Sequence, residues 1–162
     1  MAGPPLLGAT RLPDGVWVRG RGLREAAPEG PRPDFGLYLG AGVLHRRHDA
    51  SLTWEHEWVH WVDGWLPSHW RPAAASIVAL HERARTGQAV EMACHGGIGR
   101  TGTAMACLAT LTGLTPREAF AWTRANYRRR AVEAPWQRAW ISWFARHARL
   151  NRPGPSAAGP EP

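Results

Sequence analysis

The period of the apolar positions changes several times along the chain, and each change marks an element. Val16-Trp17-Val18 and Gly36-Leu37-Tyr38-Leu39-Gly40 are short β-forming runs beside a Gly-, Pro- and Arg-rich opening, residues 1–35, and predict short strands joined by loops. Residues 54–63, from Trp54 to Asp63, are dense in β-formers and run into Gly64 and Pro67, which predicts a strand entering a loop. From there the spacing becomes helical. Ala73, Ile77, Leu80 and Ala84 share one face, Arg71, Glu82, Arg83 and Arg85 turn away, and Gly87 follows, giving a helix over 73–86. Ala89–Ala93 reads as a short buried strand. A glycine-rich turn over 96–102 and a helix over 101–112 come next. Thr115 as N-cap, Pro116 at the first helical position and Glu118 closing a capping box start a helix over 116–128. The last helix, 135–149, sets Trp136, Trp140, Trp143, Phe144 and His147 on one face, predicted to be core, with Arg138, Arg146 and Arg149 elsewhere. Residues 151–162, dominated by Gly, Pro, Ser and Ala, read as a disordered tail. The expectation is one α/β domain over 1–150, its short central, mostly parallel sheet flanked by helices.

Composition narrows the chemistry. The 162 residues, 44% hydrophobic, suffice for one domain with a core. No apolar run approaches the roughly 20 residues needed to cross a bilayer, and Met1–Gly20 lacks a signal-peptide layout, so a cytoplasmic protein with no membrane partner is expected. With Cys94 and Cys107 alone, a disulfide framework and a four-cysteine zinc site are excluded. All 20 residues counted as Lys+Arg are arginine. A phosphate loop that relies on lysine and Schiff-base catalysis therefore both drop out. The net charge of +7 favours anionic partners without choosing among phosphoesters, nucleic acid and acidic lipid. The ten tryptophans are expected mainly in the core.

Three patterns carry candidate chemistry. His56-Glu57-Trp58-Val59-His60 matches H-E-x-x-H, which on a helix would hold zinc with the glutamate as general base. Its Trp- and Val-rich surroundings and the nearby Gly64 and Pro67 argue instead for a strand with His56, Trp58 and His60 on one side. Gly97-Ile98-Gly99-Arg100-Thr101-Gly102 matches G-x-G-x-x-G between a strand and a helix, as in a dinucleotide-binding turn, but the chain then enters the helix capped by Thr115 rather than another strand. The third pattern uses the same glycines and explains more residues: Cys94-His95-Gly96-Gly97-Ile98-Gly99-Arg100-Thr101-Gly102 is C-x5-R-T-G. Five residues between Cys94 and Arg100 let His95, Gly96, Gly97, Ile98 and Gly99 wrap a tetrahedral anion with their amides at a helix N-terminus. Arg100 can hold two phosphoryl oxygens, and Cys94 can attack phosphorus in line as a thiolate, with no metal or cofactor.

On these residues the chain resembles the cysteine-dependent protein tyrosine phosphatase superfamily, and within it the compact, dual-specificity-like bacterial branch. The resemblance covers roughly residues 36–148. It implies that Trp61-Val62-Asp63 is similar to the family's acid loop, with Asp63 protonating the leaving oxygen and later acting as base. It implies that Gln137, in Glu133-Ala134-Pro135-Trp136-Gln137, orients the hydrolytic water. Thr101 matches the hydroxyl that bonds the departing thiolate, and it can equally bond within its own helix turn. Val62 stands where the family has proline, and Ala93 where it has histidine. The implied substrate is a phosphorylated protein or another phosphomonoester, not nucleic acid. The alternative is a catalytically inactive phosphate-binding module. Arg124, Arg128, Arg129, Arg130, Arg138, Arg146, Arg149 and Arg152 are candidates for a basic rim or for an ordinary solvated face.

Overall fold

The computed structural model describes residues 4–148. Among them the elements run β1 (Thr10–Arg11), β2 (Trp17–Gly22), β3 (Phe35–Gly40), α1 (Gly42–His48), a 3-10 turn (Asp49–Ser51), β4 (Glu55–His60), α2 (Trp70–Arg85), β5 (Val90–Cys94), α3 (Gly99–Leu111), α4 (Pro116–Asn126) and α5 (Pro135–His147). They build an α/β fold on one five-stranded sheet of order β1-β2-β5-β3-β4. β2, β5, β3 and β4 are parallel, and only the two-residue β1 runs antiparallel, against β2. The four parallel strands therefore end on one rim, at Gly22, Cys94, Gly40 and His60. Ligands of open parallel sheets bind outside such a rim.

Both faces of the sheet are covered, which is why β3 and β5 are buried along their whole length. Alternation sorts their side chains. Leu37, Leu39, Val90, Met92 and Cys94 turn toward the large core shared with Ile77, Leu80, Met105, Leu108, Ile141 and Phe144. Tyr38 and Ala93 turn to the opposite, smaller cluster with Leu23 and Leu52, closed by half-buried Leu44, Trp54 and Trp58. Each fully buried Leu, Ile or Met contributes about 1.5–3 kcal/mol, so the α2, α3 and α5 side carries most of the stability. Every residue of α3 is buried, and α2, α4 and α5 pack around it. Gly102 allows this closeness, because a Cβ there would lie 2.7 Å from that of Ala131.

The structure departs from the sequence reading in particular places. α1 was not legible, since it buries no residue and so carries no apolar stripe. The tryptophans divide: Trp61 and Trp140 are fully buried, Trp54, Trp58, Trp122 and Trp143 are half-buried against the two core clusters, and Trp17, Trp65, Trp70 and Trp136 are exposed. Trp136 sits in the first turn of α5, ahead of the part of the helix that meets the core, and stacks on Trp65 at 5.4 Å. Helix α5 ends at His147, and the expected tail over 151–162 lies outside the described residues. Among those residues no helix is long and apolar enough to cross a membrane.

Candidate active site

Cys94 ends β5 and Arg100 lies in the first turn of α3, so the loop between them sits on the rim of the sheet. Its carbonyls are drawn outward by named donors. Cys94 O accepts from Leu23 N and His95 O from Arg24 N; Ile98 O accepts from Gly102 N and Val132 N. Gly97 O accepts from the Tyr127 hydroxyl at 2.5 Å, the only side chain among these donors. Across a planar trans peptide the C=O of one residue and the N–H of the next point in opposite directions. The amides of His95, Gly96, Ile98 and Gly99 are thereby turned toward the other side, the concave side of the loop. Gly97 N–H donates to Cys94 Sγ at 3.2 Å.

Glycine is required at two places here. Gly97 has φ +72°, and a Cβ on it would meet the Arg21 and Gly22 backbone at 2.6 Å. Gly22, the register partner of Cys94, lies so close beneath the loop that a Cβ would meet the Gly96 carbonyl carbon at 2.8 Å. Val132 is held in the left-handed region at φ +67°, unusual for a β-branched residue. Arg124 clamps it, donating to Ala131 O at 2.9 Å and Val132 O at 3.0 Å. Arg124 is thus a staple beneath the loop, not part of a basic rim.

Arg100 is buried. Its Nη1 donates to Leu39 O at 3.1 Å and Trp61 O at 3.0 Å, and its Nη2 lies 3.4 Å from Asp63 Oδ1. Its Nε is buried with no partner, and so is Thr101 Oγ1. Two orphaned donors side by side at a helix start are costly unless an acceptor arrives. Thr101 makes no helix-turn hydrogen bond, which removes that reading of its hydroxyl. Asp63 itself is exposed.

The segment Trp61–Asp63, expected from the resemblance to be an acid loop with Val62 in place of proline, is pinned by hydrogen bonds. Trp61 is fully buried and donates from Nε1 to Trp65 O at 2.7 Å. Trp136 Nε1 donates to Gly64 O at 2.6 Å, and Gln137 Nε2 to Trp65 O at 3.3 Å. Gln137 bonds to backbone at both ends of its side-chain amide. Its carboxamide is buried, and its Oε1 accepts from Glu133 N and Ala134 N, capping α5. In this arrangement it ties the start of α5 to the segment around Trp65.

Behind Cys94 lies a charge network that sequence reasoning missed. Glu91 is fully buried; its Oε1 accepts from Arg19 and Arg21, each at 2.7 Å, and its Oε2 from Arg21 at 3.1 Å and the Tyr38 hydroxyl at 2.7 Å. Arg21 and Tyr38 are the two register partners of Ala93. The guanidinium and the phenol thus flank the small residue that stands where the family has histidine. Burial, and then the Glu91 charge, hold the Tyr38 phenol far above its usual range, so it stays a donor. The Arg-Gly-Arg-Gly alternation in β2 was the available signal.

The competing patterns fare differently. His56 and His60 lie on β4, where positions four apart are separated by about 13 Å, too far to share one ion. His56 is engaged by Trp54 O and Asp49, and His60 by Ser68. No group of three or more His, Cys, Asp or Glu among the described residues could hold a metal. Cys107 is buried in α3, where desolvation pushes its thiol well up and leaves it inert. Of the arginines considered for a rim, Arg149 and Arg152 lie outside the described residues.

A search of curated proteins found no match. Among solved structures, Tk-PTP in its active form is similar with a TM-score of 0.61 and 24% identity, over 71% of this chain and 80% of that one. A kinase associated phosphatase whose catalytic-site cysteine is replaced by serine gives 0.59 and 13%, over 72% and 71%. PTPMT1 in complex with PI(5)P gives 0.57 and 17%, over 73% and 80%. At these identities the likeness establishes the fold. The sequence model of protein-tyrosine phosphatase matches residues 42–131, more than half of the chain and inclusive of the phosphate loop, and the chain therefore belongs to the protein-tyrosine phosphatase family.

Proposed function

We propose that this protein hydrolyses phosphomonoesters through a cysteinyl-phosphate intermediate, in the manner of the compact dual-specificity-like phosphatases. The Cys94 thiolate attacks phosphorus, the bond from phosphorus to the leaving oxygen breaks, and Asp63 gives that oxygen its proton. Water then attacks the thiophosphate and loses a proton to Asp63, and the sulfur leaves as thiolate with the Thr101 hydroxyl bonded to it. Arg100 and the amides of His95, Gly96, Ile98 and Gly99 hold the phosphoryl oxygens in both steps, while the Gly97 amide stays on Cys94 Sγ. Gln137 acts by holding the acid loop. The observation that carries this reading is the pair of buried, partnerless donors, Arg100 Nε and Thr101 Oγ1, beside a cysteine whose loop carbonyls all but one have a donor.

The test is hydrolysis of p-nitrophenyl phosphate in excess chelator, with Cys94→Ser abolishing turnover and Asp63→Ala reducing it. One observation favours a second reading, a phosphate-binding module without turnover: Gln137 is committed to backbone partners. That reading predicts vanadate binding with no release of p-nitrophenol.

A further inference from the structure

We propose that the end of the molecule around the phosphate loop is a docking surface for an acidic lipid bilayer, with exposed tryptophan and valine side chains entering the interface on one side of Cys94 and arginines meeting anionic headgroups on the other. Seven large hydrophobic side chains are exposed among the described residues, and five of them, Val43, Val62, Trp65, Trp70 and Trp136, crowd the rim where the parallel strands end. Val43 opens α1 just after β3. Val62 and Trp65 stand in the turn after β4, which is closed by the bridge of Trp61 with Pro67, and Trp70 opens α2 two residues after Ser68 N returns to His60 O. Trp136 comes from α5 but stacks on Trp65 and is bonded to Gly64 O. The other two lie elsewhere, Leu7 ahead of the edge strand β1 and Trp17 at the opposite end of β2. Exposed apolar side chains gathered in this way mark an interaction surface, whereas scattered ones need no explanation.

Charge is sorted along the same rim. In the strand order β1-β2-β5-β3-β4 the apolar side chains follow β3 and β4, and Cys94, at the end of β5, stands between them and β2. On the β2 side Arg24 donates its backbone N–H to His95 O, and Arg128, Arg129 and Arg130 form the turn that leads to Val132, whose N–H is on Ile98 O. Arg24, Arg129 and Arg130 are exposed; the acids adjoining these arginines in the chain, Glu25 and Glu133, are fewer, and Asp63 faces Arg100. A groove of about 550 Å³ beside the phosphate loop, walled by Val43, Leu44 and Val62, opens onto the apolar half. An acidic bilayer offers both chemistries in one plane, headgroup charge for the arginines and an interfacial layer in which a tryptophan ring is buried while its N–H stays wet. Val43, Trp65, Trp70 and Trp136 protrude from separate elements instead of lining one cleft, and a fluid interface accommodates them without the shape complementarity that a protein partner requires. Docking of this kind needs no membrane-spanning helix.

The test is co-sedimentation of the full chain with phosphatidylcholine vesicles containing about 30% phosphatidylglycerol, at low and high salt, beside vesicles of phosphatidylcholine alone. Wild type is expected to bind the acidic vesicles at least about tenfold more tightly than the neutral ones, with the difference shrinking at high salt. Trp65→Ser and, independently, Val43→Ser are expected to weaken binding by about five- to tenfold at either salt concentration, and Arg129→Gln together with Arg130→Gln by about tenfold or more at low salt alone. Trp17→Ser, a similar change at the far end of β2, is expected to leave binding within about twofold of wild type, and the Tm of each variant reports that it is folded. Failure of wild type to bind the acidic vesicles overturns the proposal and leaves the surface to a protein partner. Equal losses in Trp17→Ser and Trp65→Ser, or binding that neither Trp65→Ser nor Val43→Ser weakens and that the net charge of +7 alone explains, also overturn it. Hydrolysis of p-nitrophenyl phosphate without vesicles tests the phosphatase reading separately, so each can fail without the other.

Discussion

Tyr127→Phe isolates what the phosphate loop owes to one hydrogen bond. The ring stays, seated against Gly20, where a Cβ would come within 2.5 Å of it, and only the hydroxyl that donates to Gly97 O is lost. Burial pushes the phenol far above its ordinary range, so in the wild type it is a protonated donor throughout the working pH range. One such bond contributes about 1 kcal/mol net, and a carbonyl left buried without a partner raises the loss to about 1–3 kcal/mol. In a domain of this size each kcal/mol lowers Tm by about 2–4 °C. The consequence for activity follows from the geometry. Gly97 O shares its peptide plane with the Ile98 N–H, so a peptide free to turn at that carbonyl loses the inward orientation of the Ile98 amide, next to the Gly97 N–H that donates to Cys94 Sγ. If about 1–2 kcal/mol favours the competent loop through this bond, its removal lowers kcat/KM for p-nitrophenyl phosphate by about 5–30-fold. Vanadate, which occupies the same cradle, weakens by a similar factor. A variant with lowered Tm but kcat/KM and vanadate affinity both within about twofold of wild type refutes the reasoning and leaves Tyr127 as packing alone.

Other perturbations probe the elements around the loop. Trp136→Ala removes the bond to Gly64 O and the stack on Trp65, and is expected to lower kcat by about tenfold on alkyl phosphates, whose leaving oxygen needs Asp63, and much less on p-nitrophenyl phosphate. Glu91→Gln leaves Arg19 and Arg21 buried without their counter-charge and is expected to cost about 3–5 kcal/mol in urea unfolding, whereas an exposed change such as Glu82→Gln stays within about 0.5 kcal/mol. His56 presents both ring nitrogens to acceptors, Trp54 O and Asp49 Oδ1. Burial opposes its charge, but the Trp54 carbonyl and the Asp49 carboxylate outweigh that and raise its pKa, while the bonds from His56 and Trp58 lower that of Asp49. The stability this imidazolium contributes is full below its unfolded value of about 6.5 and is lost as pH rises through the higher folded value. The Tm gap between wild type and His56→Gln is therefore larger at about pH 5.5 than at about pH 8, and a gap independent of pH contradicts the assignment.

Periodicity and spacing carried the part of the molecule built from regular contacts. The β5 strand, the C-x5-R-T-G turn and α3 follow from local sequence because burial, glycine and helix start coincide within about 20 residues. The Thr115 cap is found as read, with its capping box formed by Glu118. What escaped depends on contacts distant in sequence. Tyr127 reaches the loop from the end of α4, and Arg19 and Arg21 reach Glu91 from another strand. Gln137 was assigned by resemblance to water, yet Trp65 lies at hand to take its amide. α1 carries the wall of the groove but no buried side chain, so hydrophobic pattern could not reveal it.

The central claim is a covalent bond between phosphorus and Cys94 Sγ. Wild type mixed with p-nitrophenyl phosphate, quenched in acid within the first turnovers and digested is expected to carry one phosphoryl group on the peptide containing Cys94, absent in Cys94→Ser. Turnover with that peptide unmodified, or turnover persisting in Cys94→Ser, contradicts the account.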